Sequence, residues 1–204
     1  MLNVAVFGSG RGSNFAAIVR AIQEGRIGEV RIAVVISNNA DAGILEIARK
    51  HGIPALHLNQ RQFGDEHLFS AALINMLRHH GTDLIVLAGY MKRVPTPVIG
   101  QYRNRIINIH PALLPKFGGA GMYGMHVHKA VIAAGEKTSG ATVHIVDEEY
   151  DHGSVLLQKS VDVEPGETPG TLAAKVLVVE HEILPEALRL FAAGKFRTNA
   201  IAVH

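Results

Sequence analysis

Ile106-Ile107-Asn108-Ile109-His110-Pro111-Ala112-Leu113-Leu114-Pro115 sets two polar side chains at the end of an apolar run and then stops the run with proline. In an extended strand, residues two apart project to one side, so Asn108 and His110 share a face while Ile107 and Ile109 enter the layer behind. Pro111 lacks a backbone donor and biases His110 toward an extended conformation, which ends the strand and holds the imidazole at its carboxyl edge. In open parallel sheets that edge is where ligands bind. A histidine before a proline also serves simply as a strand terminator with a satisfied ring, and the stretch alone leaves both readings open.

The flanking sequence decides what kind of sheet that edge belongs to. Residues 2 to 7 are a short apolar run that ends in a glycine loop, and residues 15 to 22 carry helical spacing. Residues 31 to 36 are β-branched and apolar, Asn38-Asn39 breaks them, and residues 44 to 48 before Gly52 read as a second helix. The alternation repeats with a strand at 54 to 58, a helix at 67 to 80 and a strand at 84 to 88. A short helix at 97 to 102 leads into the strand that ends in Asn108 and His110. Residues 111 to 125 are glycine-rich and irregular, and a long loop in a compact domain is usually functional or mobile. After a helix at 126 to 134, strands at 141 to 146 and 155 to 161 flank the acidic turn 147 to 153, a connection short enough to make them antiparallel. Thr168 opens a final helix to about residue 193, with Pro185 inside it as an expected kink. The fold class is therefore α/β: a Rossmann-like, open, mostly parallel sheet covered by helices on both faces, with an antiparallel strand in the C-terminal half.

A chain of 204 residues without a linker-like stretch is expected to form one domain spanning 1 to 204. Apolar residues make up 48% and the net charge is only +2, so a substantial core is available and disorder is excluded. Lys and Arg are scattered without a basic stripe, so no nucleic-acid partner is expected. Cysteine is absent, which excludes disulfides, thiolate metal sites and a cysteine nucleophile. Residues 1 to 3 lead straight into a strand-like run and no long apolar segment follows, so a cytoplasmic protein without a membrane partner is expected.

Gly8-Ser9-Gly10-Arg11-Gly12-Ser13-Asn14 lies where the first strand meets the first helix, a natural anion site of backbone amides. A dinucleotide fingerprint needs a third glycine where Ser13 stands and an acidic residue where Ser37-Asn38-Asn39 stands, and a Walker loop needs Gly-Lys-Ser/Thr. What remains is a single phosphate held by Gly12, Ser13 and Asn14, or a tight turn that only caps the helix. The twelve histidines include His126-x-His128, but without Cys or HExxH no metal is expected. A metal-free His110 needs a partner to tune it. Asp151 in the acidic turn is the first candidate, with Asp147, Glu148 and Glu149 competing as a solvated turn.

The GRGSN loop at 10 to 14, LAGYM at 87 to 91, NIHPALLP at 108 to 115, SGATVHIVDEEYDHG at 139 to 153 and VEHEILPEAL at 179 to 188 together resemble the phosphoribosylglycinamide formyltransferase family, folate-dependent enzymes of purine synthesis. The resemblance covers essentially the whole chain. It implies formyl transfer from 10-formyltetrahydrofolate to the amine of glycinamide ribonucleotide, as a monomer or homodimer. Asn108, His110 and Asp151 match the family's catalytic trio, with a protonated His110 and Asn108 stabilising the oxyanion and Asp151 keeping His110 charged. Gly12, Ser13, Asn14, Phe15 and Ala16 match the loop that holds the substrate phosphate, and Glu180 the glutamate that contacts the ribose. Met91, Lys92, Arg93 and Val94 match the segment beside the folate pterin, with Asn108 and the loop from Asp147 to Asp151 on its other side.

Three positions depart from the pattern. Ala112 stands where many relatives have Ser, and Gly118-Gly119 stands where they have Pro-Gly, which implies a more mobile loop. An Arg that some relatives place near Glu66 is missing, and His67 is the substitute to consider. Related readings are a formyltetrahydrofolate deformylase, which normally carries an extra N-terminal domain, and methionyl-tRNA formyltransferase, which needs a basic C-terminal domain. A non-catalytic Rossmann-type nucleotide-binding protein would need the glycine loop alone.

Overall fold

A computed structural model describes residues 1–196. The apolar run at the start of the chain forms β1 (Leu2–Phe7), whose last four residues are buried. Val4 and Val6 enter one hydrophobic cluster, Ala5 and Phe7 the other, as the two-residue period of a strand covered on both faces requires. The remaining strands are β2 (Val30–Ser37), β3 (Ala55–His57), β4 (Leu84–Leu87), β5 (Ile106–His110), β6 (Thr138–Ile145) and β7 (Val155–Asp162). They form one sheet in the order β3-β2-β1-β4-β5-β6-β7. β1 to β5 pair in parallel, while β6 is antiparallel to both of its neighbours, so it is the one reversed strand. The expected α/β architecture with an antiparallel strand in the second half is therefore the observed one.

Helices cover both faces. α1 (Ser13–Gln23), α2 (Gly43–Lys50), α5 (Met125–Ala133) and α6 (Pro169–Ala192) contribute to the first cluster, and α3 (Glu66–His79) and α4 (Thr96–Gln101) to the second. From β1 the chain builds outward to β3 and then returns to place β4 on the other side of β1. That reversal opens a crevice at the carboxyl ends of β1 and β4, the position where such sheets bind ligands. The loops after β1, β4 and β5 all leave from this end.

The largest boundary difference from the sequence expectation is at the start of β6. β6 begins three residues early, at Thr138, because Thr138, Ser139 and Gly140 continue the ladder with Asp162, Val161 and Ser160. Gly140 is there for close approach, since a Cβ would collide with the Lys159 carbonyl. α6 runs through Pro185 as a single helix close to its expected span. The expected single domain extends to residue 204, but residues 197 to 204 lie outside the described ones.

Candidate active site

The glycine loop folds as expected for an anion site. Gly12 precedes α1 with φ 80°, and a Cβ there would stand 2.7 Å from the Ile44 Cα, so only glycine fits. Among the described residues no side chain caps α1, which leaves the first-turn amides without a side-chain partner. The reading of a turn that only caps its helix with Ser13 or Asn14 is thereby disfavoured. Asn14 points across to α6 instead: its Nδ2 donates to Glu180 Oε2 at 2.6 Å, joining residues 166 positions apart. Asn14 Oδ1 is buried without a partner among the described residues, and Glu180 is 9% exposed. Burial pushes the Glu180 carboxyl above its usual range, partly offset by the Asn14 amide.

β5 presents its polar pair as the alternation predicts. Ile107 and Ile109 are in the first cluster, and Asn108 and His110 face the cavity on the other side. Two acceptors lie beside the His110 ring. Nε2 donates to the Phe117 carbonyl at 2.8 Å, and Nδ1 lies 3.5 Å from Asp151 Oδ2. Asp151 in the turn after β6 reaches the site in a left-handed conformation, φ 56°. Its Oδ2 also accepts from the Gly119 amide at 2.9 Å. Of the competing carboxylates, Asp147 accepts from the Glu149 amide, and Glu148 pairs with Arg103.

The residue that sequence reasoning missed is His144. It pairs with Asn108 across β5 and β6, and its Nε2 lies 3.1 Å from Asn108 Nδ2 and 3.4 Å from Asp151 Oδ1. Because His144 Nδ1 donates to the Ile145 carbonyl at 2.8 Å, Nε2 of the neutral ring is an acceptor and takes one Asn108 N–H. The second Asn108 N–H is left for the cavity. A signal was present, since Thr142 and His144 alternate with Val143 and Ile145 inside an apolar strand.

The electrostatics correct one expectation. Burial pulls the His110 imidazole below its usual value, and this outweighs the opposing pull of the Asp151 carboxylate and the Phe117 carbonyl. The free site therefore holds a neutral His110 at neutral pH, where the expectation was a charged one. Burial raises the Asp151 carboxyl, but its imidazole neighbours His144 and His110 and the Gly119 amide together hold it below its ordinary range. In the neutral tautomer the His110 Nδ1 lone pair faces a carboxylate, an arrangement that proton uptake at Nδ1 would convert to a charge-assisted bond.

The loop after β5 is also better anchored than its glycines suggest. Leu114 N donates to Thr142 Oγ1 at 3.1 Å, Gln158 Nε2 donates to the Leu114 carbonyl at 2.8 Å, and Phe117 and Gly119 hold His110 and Asp151. Gly118 packs so closely on Leu114 that a Cβ would stand 2.6 Å from its Cδ2.

These parts meet at one cavity of about 490 Å³, within the range of small-molecule sites. Its wall includes Asn14 and Glu180 at one side, Asn108, His110 and Asp151, and Met91, Lys92, Arg93, Val94 and Asp147. Gly12, Ser13, Phe15 and Ala16 do not line it. Phe15 is fully buried in the core, so its side chain anchors α1. Arg93 Nη2 donates to the Glu148 carbonyl at 3.0 Å, tying the loop after β4 to the acidic turn. A second cavity of about 390 Å³ shares Tyr90, Lys92 and Arg93 with the first and adds Arg61 and Glu66. His67 is exposed and outside both, so Arg61 is the cation this chain places near the missing Arg. His126 is exposed against Tyr123 while His128 is buried, and among the described residues no three potential ligands group as a metal site.

Buried neutral histidines make stability depend on pH. His110 and His128 both have folded values below 6.5, for burial first in each case. Each therefore contributes stability that is present above about pH 6.5 and is lost as pH falls through its folded value. Thermal melts should show Tm declining between about pH 7 and 5, with Asp151 adding to the loss at lower pH and raised Glu180 acting in the opposite sense. A Tm that rises over that interval would contradict the assignment.

A family model described as formyl transferase matches residues 2–188. The chain is 43% identical over 187 residues to the phosphoribosylglycinamide formyltransferase, chloroplastic, of Arabidopsis thaliana, covering 91% of this chain and 63% of that protein. It is 43% identical over 186 residues to the protein of the same name from Vigna unguiculata, covering 91% and 59%. The chain thus spans about three-fifths of the length of these curated relatives. Among solved structures, glycinamide ribonucleotide transformylase 1 from Symbiobacterium toebii superposes with a TM-score of 0.91 at 42% identity, covering 98% of this chain and 92% of that one. No helix among the described residues is long and apolar enough to cross a membrane.

Proposed function

Since the chain belongs to the formyl transferase family, we propose that it passes the formyl group of 10-formyltetrahydrofolate to the amine of glycinamide ribonucleotide. The observation that carries this reading is the convergence on one cavity of Asn108, His110 and Asp151 with the Asn14–Glu180 pair. The nucleotide phosphate rests on the amides of Gly12, Ser13 and Asn14, with Phe15 and Ala16 setting the helix turn behind them, and Glu180 takes the ribose. The pterin lies between the 91 to 94 segment, Asn108 and the turn from Asp147 to Asp151. Arg61 and Lys92 in the adjoining cavity face the carboxylate end of the folate.

The amine attacks the formyl carbon directly, without a covalent enzyme intermediate. As negative charge builds on the formyl oxygen, the free Asn108 N–H donates to it and the His110 Nε2–H turns to it from the Phe117 carbonyl, each such donor being worth about 3 kcal/mol. The growing oxyanion and Asp151 together favour the His110 cation, which then delivers a proton to the departing folate nitrogen. The charged imidazole thus belongs to the reacting complex and the neutral one to the free site.

The test follows folate absorbance with and without glycinamide ribonucleotide. Product formation that depends strictly on the nucleotide is expected. Folate deformylation at the same rate without it would assign a hydrolase, and no reaction in either case would leave only a binding protein.

A further inference from the structure

His128 is the histidine of this cavity that the mechanism leaves unused. It lies on α5, is 4% exposed, and its ring lines the cavity shared by His110, Asp151 and Glu180. Its Nδ1 is buried and has no hydrogen-bond partner among the described residues. The other two histidines of the wall are engaged, His110 between the Phe117 carbonyl and Asp151, and His144 between the Ile145 carbonyl and Asn108. Buried polar side-chain atoms are nearly always paired, so an unpaired imidazole in the wall of a ligand cavity points to a ligand group as the missing partner.

The reaction has a matching need. An amine must be uncharged to attack, and its nitrogen must shed a proton once the new bond has formed. Resting on the function proposed above, we propose that His128 is a further catalytic residue, the acceptor of the proton that leaves the attacking amine. The other histidines and carboxylates of the cavity wall are His110 on β5, His144 on β6, Asp147, Glu148, Glu149 and Asp151 in the following turn and Glu180 on α6. Each already contacts a protein group, which leaves His128 as the open one among the described residues. Burial and the proximity of His110 favour its neutral form, the form a base requires.

The step balances. The amine lone pair forms the bond to the formyl carbon, and the carbonyl π pair moves onto oxygen. His128 takes one proton from the resulting ammonium nitrogen. The oxygen pair then re-forms the carbonyl as the bond to the folate nitrogen breaks, and that nitrogen takes the proton that His110, neutral in the free site, picked up from solvent as the oxyanion formed. His110 is then neutral again and His128 returns its proton to solvent, so the net transfer is a formyl group in one direction and a proton in the other.

His128→Gln keeps hydrogen-bonding capacity but cannot hold a proton. In the whole protein, its kcat is expected to fall about 100-fold near neutral pH, the low end of the usual range for a general base. Calorimetric Kd for glycinamide ribonucleotide should stay within about threefold of the parent, which also reports that the variant is folded. The deficit should narrow at higher pH, where solvent leaves more of the amine uncharged. In a second arm, His128→Ala should recover turnover when imidazole is added. Turnover of His128→Gln within about threefold of the parent, or a deficit equal at every pH together with no imidazole rescue, overturns the base role. If the unmodified protein itself transfers no formyl group, the functional reading fails first and this inference falls with it.

Discussion

His110→Ala is expected to lower kcat for formyl transfer by about a hundredfold to a thousandfold, the loss typical of removing one oxyanion donor. The ring is 3% exposed and placed by a strand end that Pro111 terminates, so its position is set by the sheet and not by a flexible loop. Removing it takes away the Nε2–H offered to the formyl oxygen and the group that carries a proton to the leaving nitrogen. Glycinamide ribonucleotide should bind within about threefold of the parent, because the groups proposed to hold it follow β1 and sit on α6, away from the deleted side chain. The variant also leaves a small void and deprives the Phe117 carbonyl of its donor, at a stability cost of about 1–3 kcal/mol that a melt would register. Comparison of single-turnover rate with nucleotide Kd separates the two effects. A variant that turns over near the parent rate would remove His110 from the chemistry.

The part of this site visible in the sequence is the part that one strand supplies. Asn108 and His110 share a face because a strand has a period of two, and Pro111 tells where the strand stops. The same logic exposes the α/β architecture, since apolar strands alternating with helices leave few other ways to bury both faces of a sheet. It does not say which residue stands beside Asn108 on the neighbouring strand. The register that sets His144 against Asn108 comes from the pairing of β5 with β6, which nothing local in either segment encodes.

Turn geometry hides the rest. Four carboxylates crowd residues 147 to 151, and the one that reaches His110 does so because Asp151 takes a left-handed backbone conformation while Asp147 turns back on its own loop. Glu180 and Asn14 are 166 residues apart, and only the family resemblance joined them in advance. The sign of the His110 shift was hidden for a further reason. A nearby carboxylate can be guessed from sequence, but the burial that outweighs it exists only in the folded chain, where the loop after β5 brings the Phe117 carbonyl to the ring and is held by Thr142, Gln158 and Asp151.

Asp151→Asn should have an effect as large, with a different signature. The carboxylate serves two imidazoles, Oδ2 near His110 Nδ1 at 3.5 Å and Oδ1 near His144 Nε2 at 3.4 Å, while anchoring the Gly119 amide. Asparagine is nearly isosteric. Its carbonyl can keep the Gly119 bond, so the loop over the site is expected to hold and Tm to change little. What disappears is the negative charge. Without it only the Phe117 carbonyl opposes the burial of His110, whose imidazole should titrate at lower pH than in the parent, observable by NMR of the ring protons. The transition state then forms its imidazolium without a counter-charge, and kcat should fall by about a hundredfold to ten-thousandfold. Because the missing group is a charge and not a shape, raising the pH should not restore activity. Lowering it toward the new His110 value should narrow the gap until acid destabilises the fold. A variant with parent-like turnover, or one whose His110 titration is unmoved, would show that Asp151 does no more than fasten the loop at Gly119.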